Sequence, residues 1–109
     1  MGEKVSFFRG STPTLIFTID EEDFDLNDVS VCHVTIETDC GKNQKIFEHP
    51  VIDTEAKTIT LTLSQHDTLF WQPGNLNVQL KFRLTNGTTT VYSDIIVVQN
   101  KRSLEDTIL

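Results

Sequence analysis

Basic residues are scarce in this chain: nine Lys and Arg stand against sixteen Asp and Glu, for a net charge of −7. No basic stripe exists to displace counterions from phosphates, so nucleic acid is not an expected partner. An anionic membrane surface is disfavoured for the same reason. Cysteine is nearly absent, and Cys32 and Cys40 are too few for a disulfide scaffold. Cys32 falls inside a strand pattern and Cys40 in the loop after it, so a bridge is not expected and the reduced cytosol is the simpler place for the chain to fold. No apolar run approaches the ~20 residues that span a bilayer. The opening Met1 to Ser6 has no apolar segment of a secretory signal, and none is expected. It does fit the loose Met-Gly-x-x-x-Ser acylation pattern, but without a second anchor lipidation is not expected. Internal repeats and low-complexity segments are also missing.

What is present is alternation. From Asn75 to Leu84, residues Leu76, Val78, Leu80, Phe82 and Leu84 hold every even position, and every odd one is polar or charged. Side chains of a strand alternate between faces, so this stretch has one apolar and one wet face. A helix at 3.6 residues per turn would smear the same five groups around its circumference. Asn86-Gly87 follows, the pair that best tolerates a two-residue type I′ hairpin turn. That turn predicts Phe82 opposite Val91, Leu80 opposite Ser93, Val78 opposite Ile95 and Leu76 opposite Val97.

The other segments fall into place around this hairpin. Val5 to Arg9 reads as a short edge piece, broken by Gly10 to Pro13, since Pro13 has no N–H for a ladder. Thr14 to Ile19 alternates, with Leu15, Phe17 and Ile19 inward; an acidic connection, Asp20 to Asp28, follows. Val29 to Glu37 puts Cys32, Val34 and Ile36 on one face and Val31, His33 and Thr35 on the other. Gln44 to His49 forms a fourth strand, and Val51 to Lys57 turns the chain. Thr58 to Leu63 is β-branched on its wet side. Ser64-Gln65-His66-Asp67 has the form of a capping box that opens one helical turn. Leu69, Phe70 and Trp71 follow, placed to plug one end of a sandwich. Seven short strands and one crossover helix in 109 residues predict an all-β, immunoglobulin-like antiparallel sandwich over residues 1–100, with a C-terminal tail at 101–109. The Cys pair and in-strand Trp of antibody domains are not there.

Candidate chemistry is thin, and no catalytic, cofactor-binding or metal-ligating residue is expected. Asp23, Asp25 and Asn27 alternate as in an EF-hand loop, but Asp28 stands where the motif needs Gly and Val34 where it needs Glu. A solvated loop with Phe24 and Leu26 dipping into the core is expected instead. Cys32 and His33 are neighbours in a strand, so they point to opposite faces and cannot share an ion. His33, His49 and His66 lie far apart in sequence. Ser64, His66 and Asp67 are the residue types of a hydrolase triad, yet capping accounts for Ser64 and Asp67, and no glycine elbow surrounds the serine. Asn86-Gly87-Thr88 matches a glycosylation sequon that the hairpin explains by itself. Phe70, Trp71 and Tyr92 are the aromatics not forced into the core, and a carbohydrate-binding platform built on them is the alternative function. Tyr92 against Lys81 is also a plain cross-strand pair.

Two stretches carry a resemblance. Arg9-Gly10-Ser11-Thr12-Pro13-Thr14 precedes one alternating strand; Ser64-Gln65-His66-Asp67-Thr68-Leu69-Phe70, then Pro73-Gly74, precedes another of the form Val-Gln-Leu-Lys-Phe-Arg-Leu. With the hairpin ending Ser93-Asp94-Ile95-Ile96, the chain resembles small immunoglobulin-like tail proteins of phages and prophages of Gram-positive bacteria. It is similar to the N-terminal domain of their baseplate upper proteins. The resemblance implies a non-enzymatic virion component of tail or baseplate that docks with other tail or baseplate proteins and with copies of itself. In the longer relatives a host-recognition region follows this domain, whereas this sequence stops at Leu109, so a connector or accessory role is what its length suggests.

Overall fold

The long alternating stretch is the central strand of the larger of two sheets. In the computed structural model, which describes residues 5–20, 24–38, 41–105 and 107–108, it forms β7 (Gly74–Leu84), with Leu76, Val78, Leu80 and Phe82 buried. On one side it pairs antiparallel with β3 (Val29–Thr38), whose Cys32, Val34 and Ile36 point inward as expected. Beyond β3 lies β4 (Lys45–Phe47). On the other side run β8 (Thr90–Tyr92) and β9 (Ile96–Lys101), and β1 (Val5–Phe8) adds to β9 in parallel. The smaller sheet is β2 (Thr14–Thr18), β6 (Thr58–Thr62) and β5 (Val51–Asp53), in the order β2-β6-β5. The helix α1 (Gln65–Phe70) crosses from β6 to β7. The two sheets press their apolar faces together, Leu15, Phe17, Ile59 and Leu61 of one against Val34, Ile36, Val78 and Leu80 of the other. This is the expected all-β sandwich with immunoglobulin-like strand order.

Among the described residues, nine strands stand where seven are expected. One extra arises because Val51–Asp53 is a strand, pairing with β6, and the turn is confined to residues after it. Asp53 Oδ1 accepts from the N–H groups of Glu55 and Ala56, and Lys57 takes φ +57° to close that turn. The other arises because the return arm of the hairpin is broken in two. Phe82 does face Val91, but Val78 faces Ile96 and Leu76 faces Val98, one residue later than expected. The cause is Ser93: its Oγ accepts from Leu80 N–H at 2.9 Å and donates to Asp94 C=O at 2.8 Å. That side chain takes over a ladder bond and leaves one residue over, a bulge. Ile95 is therefore thrown outward and Val98 turned into the core.

The hairpin turn also departs from type I′. Gly87 takes φ +78° and Asn86 does not share the left-handed region. Instead Asn86 Oδ1 accepts from the N–H groups of Thr88 and Thr89, and its Nδ2 donates to Thr89 Oγ1. Asparagine serves here as a side-chain cap of the loop.

The two stretches that carry the family resemblance lie against each other. Thr68, fully buried on α1, donates to Ser11 C=O at 2.8 Å and accepts from Gly10 N–H at 2.9 Å. Arg9 donates through Nε to Trp71 C=O and through Nη2 to Leu69 C=O, covering carbonyls left over at the end of the helix. Gly10 takes φ +88°, and a Cβ there would meet Leu69 at 3.4 Å. Asn100, the last residue of the expected sandwich, is buried in β9; its Nδ2 faces the carbonyls of Thr68, Trp71 and Gln72. The strand itself runs on to Lys101.

Candidate functional site

The outer face of the large sheet carries polar, charged and apolar groups side by side. Alternation sends the odd residues of β3 and β7 outward, and antiparallel pairing sets them in rows: His33 beside Lys81, Thr35 beside Gln79, Glu37 beside Asn77. Lys81 in turn faces Tyr92, and Thr35 faces Ile46. A shallow hollow of about 260 Å³ lies among these residues, ringed by Ile46, Tyr92 and Ile95. Lys81 Nζ sits 5.5 Å from the Tyr92 ring centre, a cation–π contact that lays the ring along the sheet. Gln79 Nε2 donates to Ser93 C=O at 2.9 Å, and Gln44 Nε2 to Glu37 Oε1 at 2.9 Å. Tyr92 remains 59% exposed and Ile95 61%. Ile95 is on this face only because of the bulge at Ser93, and no pattern in the sequence signals that displacement.

The aromatic trio is not a platform. Trp71 is 0% exposed, its indole N–H donating to Asn43 C=O at 2.8 Å and its ring packed against Phe47 and Phe70. Trp71 is the plug that its place after the capping box led us to expect: ending a short helix between the two sheets, it closes one end of the core and is not available to a platform. Phe70 is partly exposed, with Lys45 Nζ 5.0 Å from its ring centre. Tyr92 lies on the far sheet face, so the three do not share a surface.

The remaining candidates are placed as follows. Ser64 and Asp67 form the capping box reciprocally: Ser64 Oγ accepts from Asp67 N–H at 3.1 Å and Asp67 Oδ2 from Ser64 N–H at 2.9 Å. Lys45 Nζ adds an ion pair to Asp67 Oδ1 at 2.8 Å. Partial burial raises the Asp67 pKa, but the bonds from Lys45 and Ser64 and the nearby ammonium outweigh it, holding the carboxyl below its usual range. His66 is exposed beside them. Cys32 is buried in the core while His33 faces outward, and burial pushes the Cys32 thiol up to about 11. In the acidic connection, Asp25 Oδ1 accepts from Asn27 N–H and Nδ2, starting a 3-10 turn at Leu26, which is buried. Phe24 packs on Phe82 with ring centres 5.1 Å apart. Asp23 and Cys40 lie outside the described residues. Among the described residues no three of His, Cys, Asp and Glu gather closely enough to hold a metal ion, and no helix is long and apolar enough to cross a membrane.

Fold and surface together define an immunoglobulin-like β-sandwich with a shallow, mixed polar and apolar outer face. The chain matches no protein-family model and no curated protein.

Proposed function

We propose that this protein is a non-enzymatic docking component of a phage or prophage tail or baseplate, acting through contacts with other tail proteins. The observation that supports the reading most is the disposition of its exposed apolar groups. Ile46, Tyr92 and Ile95 stand out from the large-sheet face, amid Thr35, Gln79, Asn77 and the charged residues Lys81 and Glu37. Apolar groups ringed by polar ones are the composition of a contact patch between proteins. The hollow between them is small beside the roughly 300–1,000 Å³ typical of small-molecule sites. Lys81 and Arg83 also give this face cations in a chain of net charge −7, so an acidic or neutral partner surface meets no repulsion there. The carbohydrate-binding alternative rests on Tyr92 alone once Trp71 is in the core, and it ranks second. Mass spectrometry of purified tail particles from the producing strain tests the proposal. Recovery of this chain in amounts comparable to the other tail proteins is expected; its absence from intact particles overturns the reading.

A further inference from the structure

Among the described residues, the small sheet has an open place beside β2. In the strand order A-B-E-D a first strand lies beside the second, but here the chain breaks at Gly10 to Pro13 and β1 joins the large sheet through β9. Among the described residues, strand β2 pairs with β6 on one side only. Pro13 C=O accepts from Leu63 N–H, and Ile19 N–H donates to Lys57 C=O. Antiparallel bonding alternates, so it is the N–H and C=O groups of Thr14, Ile16 and Thr18 that point away from β6, to the free edge. Alongside runs an apolar groove of about 470 Å³ between Leu15, Phe17 and Ile19 on one wall and Leu80, Ile96 and Val98 on the other.

We infer that this edge pairs with the same edge of a second copy, joining two small sheets into one across a two-fold axis at Ile16. The inference deepens the docking reading above, on which its biological use rests, by naming one partner and the contact.

Three features favour a second copy over a foreign strand. First, the edge is self-complementary: about an axis at Ile16, Thr14 meets the partner's Thr18, Ile16 meets the partner's Ile16 and Thr18 meets the partner's Thr14. All three are the outward-facing positions, so every such pair exchanges both backbone hydrogen bonds. Second, Thr14 to Thr18 carries no charge in a chain of net charge −7, and Ile16 is 63% exposed at its centre. Lysine, proline or a bulge normally blunts such an edge, and none of them lies within β2. Third, the two-fold keeps the acidic connections apart. The two Asp20 residues lie four positions beyond the axis on opposite sides, about 27 Å apart at roughly 3.4 Å per residue, against a Debye length near 8 Å. The other edges are less suited. Strand β1 is only four residues long and is followed by Arg9, whose guanidinium is held by the Leu69 and Trp71 carbonyls. Strands β4 and β5 carry Lys45 and Asp53.

The test is sedimentation velocity on the full chain from micromolar to millimolar concentration, with amide hydrogen exchange at both ends of that range. Association to twice the chain mass is expected, with the amides of Thr14, Ile16 and Thr18 protected only at high concentration. Ile16→Lys sets two ammonium groups opposite each other and should weaken association at least about tenfold, as should Thr18→Lys in case the first variant misfolds. Leu104→Lys, in the exposed C-terminal tail and on neither sheet, should leave it unchanged. A chain monomeric at millimolar concentration overturns the inference. So does a dimer that survives both β2 variants, or one that leaves those three amides unprotected. These readouts use no tail protein, so their failure is separate from failure to find the chain in particles.

Discussion

Replacing Trp71 by Ala separates a core plug from a binding platform. The indole is fully buried, sits between Phe47 and Phe70, and gives its N–H to Asn43 C=O. Truncating a buried aromatic to Ala costs about 3–5 kcal/mol, since contacts are lost and the cavity closes only in part. The bonds from Arg9 and Asn100 go to the Trp71 backbone carbonyl and survive the change, so packing accounts for nearly all of that cost. A domain of this size has about 5–15 kcal/mol of stability in total, so roughly a fifth or more of it is at stake. With a urea slope of roughly 1.5 kcal/mol/M, the midpoint should fall by about 2–3 M. Trp71 is the single tryptophan of the chain, so far-UV circular dichroism must replace fluorescence as the probe. Trp71→Phe keeps a ring in place and should cost about 1–2 kcal/mol. Tyr92→Ala, on the exposed face, should stay within about 0.5 kcal/mol. A Trp71→Ala protein as stable as the parent, or a Tyr92→Ala protein that is the worse of the two, would refute the assignment of roles.

Other outcomes follow from the same contacts. Ser64→Ala removes the acceptor for Asp67 N–H and should lower stability by about 1 kcal/mol in urea titration. Asp67 has a folded-state pKa below its ordinary 3.8. Its contribution is complete above that value and is lost as pH falls below it, because the unfolded chain takes up the proton first; Lys45→Ala should flatten this acid limb. Asn100→Asp would point a carboxylate at the carbonyls of Thr68, Trp71 and Gln72, at a cost of at least about 2 kcal/mol in thermal or urea unfolding. In a Cys40→Ser background, the buried Cys32 thiol, pushed up to about 11, should react with a thiol reagent at neutral pH only at the rate of unfolding.

Alternation made the sheet faces legible, because burial of every second residue is a local property of a strand. Leu15 with Phe17, and Cys32 with Val34 and Ile36, could be assigned inward without a partner in view. The capping box at Ser64 was legible for the same reason, its partners lying three residues apart. Register was not. The bulge at Ser93 depends on a hydroxyl reaching Leu80 across the hairpin, and it moves Ile95 onto the outer face while sending Val98 inward. Strand β5 escaped notice because three residues carry too little alternation to tell a strand from a turn. Trp71 could be recognised as a plug by its place beside α1, but its complete burial depends on Asn43 and Phe47, which sequence does not place beside it. The docking of Gly10 and Ser11 on Thr68 spans more than half the chain and leaves no periodic trace. Of the candidate face, the Tyr92 and Lys81 pair could be read from the hairpin, whereas the hollow beside it needed the corrected register.

Hydroxyl-radical footprinting of Tyr92, Ile95 and Ile46, on the free chain and on the chain within assembled tails, tests the docking account most directly. All three side chains are exposed in the free domain. The account predicts that they label readily in solution and become shielded in the particle, while exposed Val51 on the other sheet serves as the reference. Equal labelling of Tyr92, Ile95 and Ile46 in both states would contradict it.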